Sequence, residues 1–197
     1  RVGHHQRRGW SAARAGVQHG DQHDPPQRDR SPHGQTTYQG AVPGQPFQIA
    51  LEMEHPDWPA FGRSGSRLVV GAYAVGWGLY SERLADEMGL FRSEGERFGM
   101  LTAQAWRAAR LIVDTGIHAP RKDRAWGVQV LLAAGLTETD ASIETDRYIT
   151  WPGQALTYKI GQREIERLRR ELTARDGSAF DVRAFHDEVL GHGSLPL

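Results

Sequence analysis

The sequence predicts an all-α chain. Apolar residues recur at helical spacing over most of residues 45–190, caps and glycines fall at the ends of those stretches, and no strand-type alternation is sustained. Gln45 to Glu54 is the first apolar-containing stretch, closed by Pro56 and Pro59. Arg67 to Met88 reads as a helix ending at Gly89. Its interior Gly71, Gly76 and Gly78 each cost roughly 1 kcal/mol against alanine, so they point to close backbone packing or a site wall. Ser93 with Glu96 forms a capping box for the next helix, whose apolar stripe is Phe98, Leu101, Ala105, Ala108 and Ile112, with Gly116 as its stop. A shorter helix follows Asp123, runs through Val128 to Ala134 and ends at Gly135. Thr139 or Asp140 caps a further helix to about Thr150. Pro152 suits the first position of a helix reaching Arg175 and ending at Gly177, with Ile165, Leu168 and Leu172 on one face. A last helix spans Asp181 to Leu190 and stops at Gly191.

Composition narrows the function classes. The chain has 197 residues, enough for one domain with a real core. Its 24 basic and 24 acidic residues balance, so no basic field points to nucleic acid. Cysteine is absent, which excludes disulfides, zinc ribbons and thiol nucleophiles. No apolar run approaches the roughly 20 residues of a membrane span; Leu68 to Leu79 is shorter and holds three glycines. No membrane partner is therefore expected, and balanced charge favours the cytoplasm.

Residues 1–37 differ from the rest. They are rich in Arg, His, Gln, Gly and Pro, with Val2, Trp10 and Val17 as their only large apolar side chains. Such a segment buries too little to offset its ordering entropy, so it reads as a disordered tail or as non-native sequence. The helical domain is expected over 38–197. The chain begins with Arg1, which fits a processed product or, preferably, a fragment.

The usual catalytic signatures are missing. There is no H-E-x-x-H, no glycine-rich phosphate loop after a strand and no G-x-S-x-G elbow. Polar residues cluster in three places: Asp114 to His118; Asp146-Arg147-Tyr148 with Trp151 to Gln154, Tyr158 and Lys159; and Phe185-His186-Asp187 with Gly191-His192-Gly193. Each has an ordinary structural reading, as an ion pair, a cap on helix carbonyls or a core aromatic with a wet hydroxyl.

Four stretches together resemble a known family. They are G-W-G-L-Y-S-E-R-L-A-D-E-M-G-L (76–90), R-A-A-R-L-I-V-D-T-G-I-H (107–118), D-R-Y-I-T-W-P-G-Q-A-L-T-Y-K-I-G (146–161) and F-D-V-R-A-F-H-D-E-V-L-G-H-G-S-L-P-L (180–197). The chain resembles the bacterial domain of unknown function 885, grouped with zinc metallopeptidases of the glutamate-zincin type. The likeness runs from about Tyr38 to the end. It implies the C-terminal part of a zincin-like metallopeptidase fold, acting on peptides with zinc held by imidazoles and a carboxylate and a second Glu activating water.

The family's first signature resembles Y-H-E-A-I-P-G-H-H-L-Q. In that register this chain keeps Tyr38, Ala41, Pro43, Gly44 and Gln48 but carries Gln39, Gly40, Gln45 and Pro46 at the chemical positions. Val75 stands where the family's E-G-W-A-L-Y-S-E supplies a ligand Glu. No zinc and no hydrolysis are expected of the chain as written, because glutamine is a poor ligand and Gly40, Pro46 and Val75 offer no side-chain donor. Loss of the general base alone removes a contribution of about 10²–10⁴-fold. A pseudoenzyme, an inactivated protein and reading errors in the early segment all fit this pattern of losses. The resemblance leaves Tyr148, Tyr158, Arg147, His118 and, more weakly, His186 as candidates for substrate contact. Without metal, the alternative is a non-catalytic helical module that binds peptide or protein.

Overall fold

The computed structural model describes residues 38–40, 42–55, 58 and 71–195. The expected tail 1–37 and residues 67–70 of the expected second helix lie outside that set. Seven α-helices are described: α1 Gln45–Glu54, α2 Gly71–Glu87, α3 Glu94–His118, α4 Arg124–Ala133, α5 Glu138–Thr150, α6 Thr157–Asp176 and α7 Val182–Leu190, with 3₁₀ turns at Gln154–Leu156 and Gly177–Ala179. No strand occurs among the described residues, so the chain is all-α, as its sequence predicts. None of these helices is long and apolar enough to cross a membrane.

Local chemistry explains most boundaries. Ser93 Oγ accepts the Glu96 N–H at 3.1 Å, while Glu96 reaches back to the Arg92 N–H at 2.8 Å, one residue before the expected partner. Asp123 caps α4 through the Trp126 N–H, and Asp181 caps α7 through the Arg183 N–H. Gly89 and Gly135 follow helix ends with φ of 66° and 92°, where a side chain would be strained.

Three boundaries differ from expectation. Helix α3 does not stop at Gly116; it continues to His118, because Gly116 is buried beneath the Trp126 indole and its missing Cβ serves packing, not termination. Helix α5 is capped by Thr137, whose hydroxyl accepts the Asp140 N–H at 3.2 Å, not by Thr139 or Asp140. Pro152 lies in a turn, and the α-helical run begins at Thr157, since Gly153 takes φ 83° and breaks the register.

The core has two parts. Ala109 and Val113 of α3, Val128 and Leu131 of α4, Ala141 and Tyr148 of α5, and Ala155 form one. Trp77 and Tyr80 of α2, Ile165 of α6, and Phe185 and Leu190 of α7 form the other. Each fully buried large side chain contributes about 1.5–3 kcal/mol. Helices α2 and α6 cross at Gly76 and Gly161, backbone against backbone; a Cβ on Gly76 would stand 2.5 Å from the Gly161 Cα.

The apolar stripe on α3 faces outward, contrary to the usual amphipathic logic. Phe98 is 68% exposed and Ile112 55%. The inward face carries Met100, Ala103, Gln104, Arg107, Arg110, Val113 and Asp114. Polar partners decide this orientation. Gln104 donates to the Leu79 carbonyl, Arg110 pairs with Glu144, and Asp114 accepts the Gly153 N–H at both carboxylate oxygens. Leaving these groups buried without partners would cost more than exposing three apolar side chains.

Candidate functional site

The first signature folds back on α2. The Tyr38 hydroxyl donates to the Leu90 carbonyl at 2.7 Å, Ser81 Oγ donates to the Tyr38 carbonyl at 3.1 Å, and Trp77 Nε1 donates to the Pro43 carbonyl at 2.8 Å. Gly44 has no space for a side chain against the Tyr38 and Gln39 carbonyls. Tyr38, Pro43 and Gly44, three of the positions kept from that signature, thus shape this loop.

Two of the substituted positions, Gln39 and Gln45, meet in space. A Cβ on Gly78 would lie 3.0 Å from the Cγ atoms of both Gln39 and Gln45, so these side chains converge over one point of α2. Val75 lies three residues earlier, on the same face of that helix. Gln39 Oε1 accepts from Arg107 Nη2 at 3.1 Å, and Gln45 Nε2 donates to the Ala74 carbonyl at 3.3 Å. These residues do not fit zinc. Two neutral amides already engaged elsewhere, with a valine beside them, supply no anionic or imidazole donor. Among the described residues no three His, Cys, Asp or Glu side chains stand close enough to hold a metal ion.

Below this point the same face of α2 carries Glu82, which is fully buried. Its Oε2 accepts from Gln104 Nε2 at 3.3 Å, and its Oε1 has no partner. Lys159 Nζ donates to Gln104 Oε1 at 2.9 Å and Gln162 Oε1 at 2.8 Å, closing the strip. Burial pushes the Glu82 carboxyl up to about 7, with Arg107 opposing, and burial pulls both Lys159 and Arg107 down. The folded carboxyl keeps its proton to about pH 7, whereas an unfolded one releases it near 4.5. The folded state therefore binds more protons in that window, and this group's contribution to stability falls as pH rises through it. Glu82→Gln is expected to match the parent at pH 5 and exceed it by about 2 kcal/mol at pH 8.5. Urea melts of both proteins at the two pH values check this; an equal difference at both would refute it.

A second cluster surrounds Arg110, itself only 3% exposed. Its guanidinium lies 4.3 Å from the Trp106 ring centroid, 4.7 Å from that of Tyr158 and 5.7 Å from that of Tyr148. Arg110 Nε and Trp106 Nε1 both donate to the Tyr148 hydroxyl, at 2.9 and 3.2 Å. Arg110 and Arg147 share Glu144 at 3.2 and 2.6 Å, and Arg147 also donates to Gln154 Oε1 at 2.6 Å. Burial pushes Tyr148 up to about 12, so its phenol stays protonated. Burial also opposes ionisation of Glu144, but the two guanidiniums outweigh it and hold the carboxyl below its ordinary value.

The fold thus brings three sequence-derived candidates together: Arg147, Tyr148 and Tyr158. His118 touches the same cluster from the backbone side, with Nε2 2.9 Å from the Tyr148 carbonyl. Tyr148 is 1% exposed and its phenol is held by its two donors, so it braces the cluster, while Tyr158 is half-buried and His118 exposed. Gln154 belongs to a polar cluster the sequence marks, whereas Trp106, Arg110 and Glu144 do not. The four-residue spacing of Trp106 and Arg110 was the available signal.

His186 lies elsewhere, in the α2–α6–α7 core. Its Nε2 is 2.8 Å from the Tyr80 hydroxyl, which also accepts from Arg169 Nη1 at 3.0 Å. A guanidinium can only donate, so the phenol proton points to a neutral His186. Burial, then Arg169, pulls the imidazole below its ordinary value, in agreement.

The model of a family of bacterial proteins of unknown function, DUF885, matches residues 9–197. The chain belongs to the DUF885 family. The match reaches upstream of Tyr38, where the resemblance read from motifs began. No curated protein matches the chain in sequence. A crystal structure of a candidate lipoprotein from Colwellia psychrerythraea is similar to this DUF885 chain, with 40% identity and a TM-score of 0.75. The likeness covers 79% of this chain and 26% of that one, so the chain spans about a quarter of that relative's length.

Proposed function

We propose that this DUF885 chain is a metallopeptidase-like scaffold that no longer hydrolyses peptides, because its metal-holding positions carry side chains unable to grip a dication. The observation that supports this reading is the convergence of Gln39 and Gln45 over the Val75 face of α2. Residues distant in sequence meet where the family resemblance expects ligands, and the donors there are neutral amides. The polar cluster around Arg110 then braces α3, α5 and the Gln154–Leu156 turn, with Tyr158 and His118 as its reachable groups.

Calorimetric zinc titration tests this reading. The parent chain is expected to give no saturable heat at micromolar zinc. The combination Gln39→His, Gln45→His and Val75→Glu is expected to bind one zinc, and adding Gly40→Glu to raise peptide hydrolysis above background. Tight stoichiometric zinc binding with hydrolysis by the parent would sink the proposal, and a silent triple variant would refute the assigned register.

A further inference from the structure

The face of α6 that carries Ile165, Leu168 and Leu172 does not close fully against α7. Between the two helices lies a groove of about 610 Å³, floored by these residues with Phe180, Phe185 and Val189. That volume falls in the range of about 300–1,000 Å³ typical of ligand sites. Leu168 is 37% exposed and Leu195, at one end, 42%. Among the described residues no Arg or Lys lines the groove, although α6 is rich in arginine; its charged lining is Glu164, Asp176, Asp181 and Glu188, with His192.

The four acids are not equivalent. Glu164 is held by Arg167 and Asp176 by Arg175. Among the described residues the Asp181 carboxylate accepts only the Arg183 N–H, as a cap, and the Glu188 carboxylate meets only the His192 ring, at 3.8 Å. Asp181, the N-cap of α7, and Glu188 within it stand seven residues apart, about two turns or roughly 10 Å. The groove therefore presents an apolar floor flanked by two acids that no guanidinium of the described residues neutralises.

We propose that this groove is a docking site for a polypeptide segment that sets apolar side chains beside Arg or Lys. An amphipathic helix with leucines along one face and cations two turns apart matches both features: apolar burial supplies affinity, and the acids select charge and orientation. A neutral or acidic apolar segment would leave Asp181 and Glu188 uncompensated. The groove lies outside the Gln39–Gln45 convergence, so this proposal does not depend on the metal question.

Fluorescence anisotropy with a labelled synthetic helix carrying leucines and two arginines seven positions apart tests it. Saturable binding is expected, at least about ten-fold tighter than for the same peptide with glutamates in place of the arginines. Leu168→Arg is expected to abolish binding, and Asp181→Asn with Glu188→Lys to weaken it at least about ten-fold; asparagine preserves the cap, and circular dichroism confirms the fold. Equal binding of the two peptides, no binding, or binding unmoved by these variants would overturn the proposal. So would concentration-dependent dimerisation abolished by Leu168→Arg, because a second copy would then own the groove.

Discussion

Gly161→Val is expected to destabilise the chain by about 4 kcal/mol and to lower Tm by roughly 10 °C. The reason is where the new atom would go. A Cβ at this position drives into the Ala72 carbonyl and the Gly76 Cα, which are backbone atoms of α2 and cannot rotate away. Relief requires α2 and α6 to separate, and that opens the core held by Trp77, Tyr80 and Ile165. Gly95→Ala provides the contrast. It lies in the first turn of α3 with only the Ser93 hydroxyl near, at 3.7 Å. There alanine is expected to stabilise by about 0.5 kcal/mol. Urea denaturation of the two variants measures both effects. A Gly161→Val protein as stable as the parent would show that the helices do not meet backbone to backbone.

Arg110→Ala is the second large expectation, a loss of about 3–5 kcal/mol. The substitution removes a buried guanidinium, leaves the Tyr148 hydroxyl with only Trp106 as donor, and strips Glu144 of one of its two cations. It also empties the space between the Trp106 and Tyr158 rings. Arg110→Met with Glu144→Gln removes the pair together and fills part of that space, so it is expected to recover at least half of the loss. Chemical denaturation of the single and paired variants decides the matter. If Arg110→Ala costs less than about 1 kcal/mol, the cluster is not structural bracing, and its residues gain weight as ligand contacts.

The helices were legible because their signals are local. Ser93 with Glu96, Asp123, Gly89, Gly135 and Asp181 mark ends through bonds made within a turn or two, and the structure keeps them. Where a tertiary neighbour intervened, the reading failed. Gly116 looked like a stop but is the seat of Trp126, and Pro152 looked like a first helical residue until Gly153, tied to Asp114 on α3, broke the run. The stripe on α3 misled for the same reason. Periodicity ranks faces by apolarity, whereas Gln104, Arg107, Arg110 and Asp114 found partners on four different segments. Of the five site candidates, Arg147, Tyr148 and Tyr158 lie close in sequence and came together with His118, while His186 packed in the other core against Tyr80.

By itself the sequence determined the all-α class, most helix ends and the lack of anionic or imidazole donors at Gln39, Gly40, Gln45, Pro46 and Val75, because a residue's donor set and its capping bonds travel with it wherever the chain goes. Only the tertiary structure decided that Gln39 and Gln45 converge beside Val75, that α3 turns its charges inward, and that α6 and α7 leave an acid-edged groove between them. Those facts depend on pairs of groups far apart in the chain, and their energies exist only once burial has removed water from between them.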